Sequence, residues 1–318
     1  MFIYNDGKKE KIIARGWKKF YNIDEEDVEE SKLENIKKWQ FPLIIERKYN
    51  GFLGIFSAYK DEKGDIRPFI ASKSTDKGKY AGYVKEILEP NITKELLKFI
   101  EKENITLLFE VIHPNDPHIE DNKNKKEIIL IGAIKNDINF KAYNYKKLKK
   151  IYNMFFKNSK NIKYKEISKI INTPKELDYF LEKDKNFPLL SNEGIEGYVI
   201  YNEKSIYTKE PKMTKLKTRW YSFWKEMRSL SRRLSKYNKL NKKIIAGQKQ
   251  KLKERFKNDN DAYEKAVLFL NYIKDNIKNK SLLKNPNIPM LRKNFLEYIK
   301  LQKQLKNQQN HTQELTLE

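Results

Sequence analysis

A change of period about two thirds of the way along the chain constrains its fold more than any other feature. Before residue 220, short runs rich in Ile, Val, Phe and Tyr alternate with helical stretches, and after it only helical periods follow. The runs "FPLIIERK" (41–48), "FLGIFSAYK" (52–60), "RPFIASK" (67–73), "ITLLFEVI" (105–112), "EIILIGAI" (127–134) and "IEGYVIYN" (195–202) read as strands. "NITKELLKFIEKEN" (91–104) reads as a helix that Asn91 or Thr93 could cap. "TPKELDYFLEKD" (173–184) reads as a second, with Thr173 as N-cap and Pro174 at the first helical position. Strands and helices in this order lack a regular βαβ alternation, which predicts an α+β fold on a mostly antiparallel sheet.

From Trp220 the apolar residues fall at Phe223, Trp224, Met227, Leu230, Leu234 and Tyr237, a helical spacing. "DAYEKAVLFLNYIKDNIKN" (261–279) and "MLRKNFLEYIKLQKQL" (290–305) repeat it, and Pro286 and Pro289 are expected in the linker between those two helices. The expected organisation is a mixed domain over 1–221 followed by an all-helical domain over 222–318. The helical part holds 23 Lys and Arg against 9 Asp and Glu, so +14 of the chain's +24 sits there. The tail "NQQNHTQELTLE" is polar and expected to fray. No internal repeat is visible.

A surplus of +24 attracts polyanions, nucleic acid first among them, although a genome that favours lysine and asparagine codons would also raise it. With 13% aromatic residues in 318, the chain can bury a proper core despite 35% charge. Without cysteine there is no disulfide, thiolate zinc site or cysteine nucleophile. Three histidines (His113, His118 and His311) make a histidine metal site or a serine–histidine triad a poor expectation. No apolar run reaches the ~20 residues of a membrane span and no signal peptide opens the chain, so a cytoplasmic protein is expected, of a bacterium or of a host cell if phage or viral.

The chemistry is sought around Lys48-Tyr49-Asn50-Gly51, between two strand runs. Taken alone, Asn-Gly between strands signals a hairpin turn. Its company is what a hairpin does not predict. Arg15-Gly16 precedes it, Lys73 ends a strand, Glu110 is a lone carboxylate in an apolar run, and Glu196-Gly197 opens another strand. Lys215 and Lys217 then share one face of a strand, with Leu216 on the other. Each has a plain alternative, Glu110 as a core carboxylate paired with a lysine and the lysine pair as a solvated face. The six together, in one order, are what call for a function.

These residues resemble motifs I, III, IV and V of the covalent nucleotidyltransferases, the superfamily of DNA ligases, RNA ligases and mRNA-capping guanylyltransferases. "ARGWKKFYNIDE" and the "RWY" after Lys217 are similar to segments of the RNA ligases typified by the T-even phage RNA ligase 1 and fungal tRNA ligases. The resemblance covers roughly residues 12 to 225. Asn50 stands where the phage enzymes carry Asp and the fungal ones Asn, and "EIILIGAI" offers no ring to stack on adenine. The resemblance implies an antiparallel-sheet nucleotidyltransferase domain, ATP-grasp-like, that joins RNA 3′-OH and 5′-phosphate ends. Lys48 would carry AMP, and Lys215 and Lys217 would hold the α-phosphate. Glu110 would bind the ribose, Arg15, Asn50, Lys73 and Glu196 would belong to the ATP site, and Gly51 and Gly197 would let backbone approach the nucleotide. ATP and Mg²⁺ (or Mn²⁺) are the implied cofactors, with Glu196 meeting the metal through water. The implied partner is RNA, a tRNA with a broken anticodon loop, prepared by a separate polynucleotide kinase–phosphatase because no phosphate-loop motif is present. A DNA ligase or capping enzyme, and a non-catalytic basic RNA-binding protein, are the competing expectations.

Overall fold

In the computed structural model, Thr93 rather than Asn91 caps the first expected helix, its hydroxyl accepting from the Leu96 amide at 3.1 Å. Asn104 closes that helix in the left-handed conformation at φ 49°. Thr173 caps the other, accepting from the Glu176 amide at 3.2 Å, and Pro174 is its first residue. The structure describes residues 1–315 apart from 6, 8, 9, 117 and 285, and side chains as far as residue 304. The expected fraying at 307–318, and His311, fall on side chains outside that set.

The chain divides into two compact units: Met1–Asp116, Asn122–Lys185 and Ile195–Thr218 form the first, and Pro117–Asp121, Asn186–Gly194 and Arg219–Glu318 the second. In chain order the first unit runs β1 (Phe2–Asn5), β2 (Glu10–Ala14), β3 (Tyr21–Asn22), α1 (Leu33–Ile36), β4 (Leu43–Lys48), β5 (Phe52–Lys60) and β6 (Ile66–Ser72). It continues with α2 (Gly78–Leu88), α3 (Lys94–Glu103), β7 (Ile105–Ile112), β8 (Glu127–Lys135), α4 (Tyr145–Phe155), β9 (Ile162–Tyr164), β10 (Ile167–Ile171), α5 (Pro174–Lys185), β11 (Gly197–Asn202) and β12 (Met213–Lys217).

The fold is α+β, with two five-stranded sheets where the sequence suggested one. Their orders are β10-β4-β11-β12-β3 and β6-β5-β7-β8-β9, and β1 pairs with β2. All pairings are antiparallel except β12 with β3 and β8 with β9. Side-chain alternation sorts the residues into layers. Leu43 and Ile45 face out to α1 and α5, whereas Ile44 packs inward with Leu108 and Ile134 of the other sheet. Leu107 and Phe109 face α2, α3 and α4. Each such side chain, fully buried, stabilises the fold by roughly 1.5–3 kcal/mol.

The topology decides what the motif is. β4 and β5 belong to different sheets, so Asn50-Gly51 carries the chain from one sheet to the other and is not a hairpin. The link between β9 and β10, through Lys165 and Glu166, crosses back beside it. Arg47 N donates to Glu166 O at 3.3 Å, and the Tyr49 hydroxyl accepts from Glu166 N at 3.0 Å.

The second unit contains α6 (Arg219–Leu234), α7 (Lys242–Arg255), α8 (Asn260–Asp275), α9 (Lys280–Lys284) and α10 (Ile288–Leu315). The helical spacing from Trp220 puts Phe223, Trp224, Met227, Leu230 and Leu234 into one core with Phe269 and Phe295. The two inserted segments belong to the same core: Ile119 of the first is buried in it, and in the second Ser191 O accepts from Trp220 Nε1 at 2.9 Å and Leu189 O from Trp224 Nε1 at 2.8 Å. The Arg219 guanidinium grips Asp259 with two nitrogens, at 2.6 and 2.7 Å. Pro289 lies not in a linker but at the second position of α10, where its missing N–H costs no helical bond. α7 was not foreseen, because Leu252 is buried on it and Ile244 and Ile245 are only partly so, too few to mark a helical period.

Candidate active site

Lys48 is the last residue of β4, so its amine stands at the end of a sheet, not in its middle. Its Nζ lies 2.7 Å from Glu196 Oε1, and the carboxylate side chain is 7% exposed. Strand register explains the meeting. Gly197 opens β11 opposite Lys48 on one side and Lys217 on the other, which places Glu196 at the rim beside Lys48. One row deeper, Val199 stands between Glu46 and Lys215. Period-2 alternation therefore puts Lys48, Glu46, Lys215 and Lys217 on the same inward face.

A cavity of about 670 Å³ opens between this face and the other sheet. Arg15, Lys48, Lys73, Glu110 and Lys215 line it, together with Trp17, Phe20, Glu46, Lys165 and Tyr201. Among the expected residues, Asn50, Gly51, Glu196, Gly197 and Lys217 are not in the lining. Glu196 reaches the site through Lys48. Asn50 is buried in the crossing between sheets. The volume suits a nucleotide-sized ligand.

The cations are arranged close enough to feel one another. Burial pushes the Lys215 ammonium below its ordinary value, and Lys48 and Lys73 push the same way against Glu25 and Glu196. Lys215 Nζ donates to Phe20 O at 3.3 Å. Arg15 is buried; its Nη1 donates to the carbonyls of Asp137 and Ile138, and desolvation lowers its pKa. Among the described residues its Nε has no hydrogen-bond partner.

The two motif glycines have a reason the sequence did not give. A Cβ at Gly51 would sit 2.3 Å from Val111 O, and one at Gly197 would sit 1.9 Å from Leu216 O. Protein backbone occupies the space a side chain would take at either position. The close approach of Gly51 to β7 also lets its amide donate to Glu110 Oε1 at 3.0 Å, tying motif I to the motif III carboxylate.

Sequence reasoning missed three lining groups that act together. Glu46 Oε1 accepts from Lys165 Nζ at 2.7 Å and from the Tyr201 hydroxyl at 2.5 Å, with the Lys165 and Glu46 side chains only 6% and 9% exposed. Burial, then the Glu46 charge, holds the Tyr201 hydroxyl protonated far above its usual range. Burial raises Tyr49 to about 12. β8 itself carries no aromatic residue. Trp17 lies against Gly132 of β8, where a Cβ would meet its ring at 2.6 Å, and it lines the cavity.

The family model described as RNA ligase matches residues 1–221. The chain belongs to the RNA ligase family. Two crystal forms of one solved ligase agree with it at the level of the fold. This ligase resembles an archaeal ATP-dependent RNA ligase in two crystal forms. Form 2 gives a TM-score of 0.53 at 9% identity over 87% of this chain and 67% of that one. Form 1 gives 0.50 at 11% over 94% and 69%. A Naegleria gruberi RNA ligase with pyrophosphate gives 0.49 at 13% over 70% and 62%. The chain thus spans about two thirds of the archaeal ligase's length. No curated protein matches it in sequence. No described helix is long and apolar enough to cross a membrane.

Proposed function

We propose that this RNA ligase uses ATP to join RNA 3′-OH and 5′-phosphate ends through an AMP-lysine at Lys48. The observation that carries the reading is the cavity itself, which holds one amine at a carboxylate's edge and clusters further cations about it. In the first step Lys48 Nζ forms a P–N bond to the α-phosphorus while the bond to pyrophosphate breaks. An ammonium paired with Glu196 is no nucleophile, so this pair must open and the amine must lose a proton first. Lys215 and Lys217 offset the charge that develops on the α-phosphate. Glu110 receives the ribose hydroxyls, and Arg15 and Lys73 hold the triphosphate or the RNA 5′-phosphate. Trp17 offers adenine a flat wall. AMP then passes to the RNA 5′-phosphate, and the 3′-hydroxyl displaces it as the strand is sealed.

The site fits a hydrated divalent cation and not a caged one. Among the described residues no cluster of three acidic or histidine side chains exists, and the Glu196 carboxylate lies 2.7 Å from the nucleophile. Mg²⁺ or Mn²⁺ would be held by substrate phosphates and, through water, by Glu196, masking charge on the leaving group.

The helical unit fits an RNA-backbone role, with a tRNA carrying a broken anticodon loop as the favoured substrate. α7 exposes Lys242, Lys243, Lys249, Lys251 and Lys253 against Glu254 as its one acidic residue. Breaks with other termini would need a separate kinase–phosphatase. The chain after β12 is helical where DNA ligases and capping enzymes continue into an OB-fold, which favours RNA over those alternatives.

Incubation with labelled ATP and Mg²⁺ should yield a denaturation-resistant protein–AMP adduct, and addition of nicked tRNA or single-stranded RNA should yield sealed product. No adduct from the wild type would end the catalytic reading. Replacing Lys242, Lys243, Lys249 and Lys251 with glutamine should leave the adduct intact. RNA affinity should fall, and the salt dependence should shallow by about 0.7 for each phosphate the variant no longer neutralises. An unchanged salt slope would exclude α7 from the RNA surface.

A further inference from the structure

The first unit carries an aromatic cluster outside the cavity, and core packing accounts for Phe52 but not for the exposed Tyr80. Tyr80 and Tyr83 stand one turn apart on α2, and Tyr80 is 44% exposed. The Tyr83 ring stacks on His113 with centroids 3.8 Å apart and planes 12° from parallel. Phe52 meets Tyr80 edge-on at 4.8 Å.

Polar bonds fix the edges of these rings. The Tyr80 hydroxyl donates to Asp116 Oδ1 at 3.2 Å. His113 Nδ1 accepts from the Asn115 amide at 3.2 Å, and its Nε2 faces Glu86 Oε2 at 3.1 Å. Glu86 is itself paired with Lys126, so its charge is offset, and Lys79 lies 5.6 Å from the Tyr83 centroid. The result is a rigid, partly exposed ring surface flanked by cations. A tyrosine ring held this firmly has little conformational entropy left to lose on stacking.

Its position gives it a use. Phe52 follows Gly51 directly and is four residues from Lys48, which bounds their Cα separation at ~14 Å. Leu53 lines the cavity, whereas Phe52 turns to the helix side of the same sheet. A strand that left the site over the end of this sheet would pass to the side on which the rings stand. Unpaired bases stack on such rings whatever their sequence, and neighbouring cations hold the backbone.

We propose that Tyr80, backed by Tyr83, His113 and Phe52, is a stacking platform for an unpaired base of the RNA strand close to the end being joined. This rests on the RNA-joining reading above, and its test separates the two. The full-length protein is titrated, without ATP, into single-stranded RNA carrying a fluorescent base analogue beside its end. Wild type should quench the base. Tyr80→Ala should lose the quenching and bind roughly 5- to 150-fold more weakly, while Tyr80→Phe keeps both. Protein–AMP formation should be equal in all three, with joining reduced in Tyr80→Ala alone. The platform is overturned if Tyr80→Ala quenches, binds and joins as wild type does. It is equally overturned if that variant loses protein–AMP formation in step with joining, since Tyr80 would then support the nucleotide site. A wild type that quenches RNA but forms no adduct would leave the platform standing and sink the catalytic reading.

Discussion

Lys48→Ala is expected to abolish the protein–AMP adduct, with joining of 3′-OH and 5′-phosphate RNA falling by on the order of 10⁴-fold or more, as when a covalent nucleophile is removed. Lys48→Arg is the sharper variant. A guanidinium can keep the ion pair with Glu196, now 2.7 Å long, and so preserve the local charge balance. It cannot present a neutral amine near neutral pH, so it too should form no adduct. RNA that already carries AMP on its 5′-phosphate bypasses the first step. Both variants should still seal such RNA if Lys215, Lys217 and the RNA contacts are intact. Labelling of Lys48→Ala at wild-type level would remove Lys48 from the chemistry altogether. Loss of sealing on the pre-adenylated substrate would instead mean that the substitution disturbs the rim where Gly197 stands between Lys48 and Lys217.

Local signals were legible wherever local chemistry decides. The β5 and β7 runs coincide with their strands, and Thr173-Pro174 opens α5 as a cap and a preset φ should. The order of motifs pointed to one site, and the cavity does bring Arg15, Lys48, Lys73, Glu110 and Lys215 together. What stayed hidden was long-range. Asn50-Gly51 has the composition of a hairpin, and only the partners of β4 and β5 show that it crosses between sheets. Lys165 is one of 67 basic residues, and nothing near it in sequence announces burial. Trp17 and Gly132 meet across more than a hundred residues, so a search of β8 for a ring could not find one. The glycines were legible as glycines, but their cause lies in the carbonyls of Val111 and Leu216 on neighbouring strands.

Lys165→Met should strongly destabilise the first unit. Lys165 and Glu46 form an ion pair of 2.7 Å with both side chains more than nine tenths buried. Removing the cation leaves Glu46 charged in a low-dielectric site, with the Tyr201 hydroxyl still donating to it. Breaking such a pair costs about 3–5 kcal/mol. For a unit of this size that corresponds to a fall in Tm of roughly 6–20 °C. The location aggravates the loss. Lys165 sits in the β9–β10 crossing, where Tyr49 and Arg47 hold the neighbouring Glu166, so a disturbed crossing shifts motif I itself. Adduct formation should therefore fall along with stability. Glu46→Leu combined with Lys165→Met removes both charges, and buried pairs replaced by apolar groups are often no less stable. The double variant should regain most of the lost Tm. Thermal unfolding of the two single variants and the double one tests this directly. If Lys165→Met melts within a degree or two of wild type, water reaches Glu46 and the pair is not buried in solution. If Tm recovers in the double variant but adduct formation does not, Glu46 and Lys165 serve the nucleotide site directly, beyond holding its two sheets together.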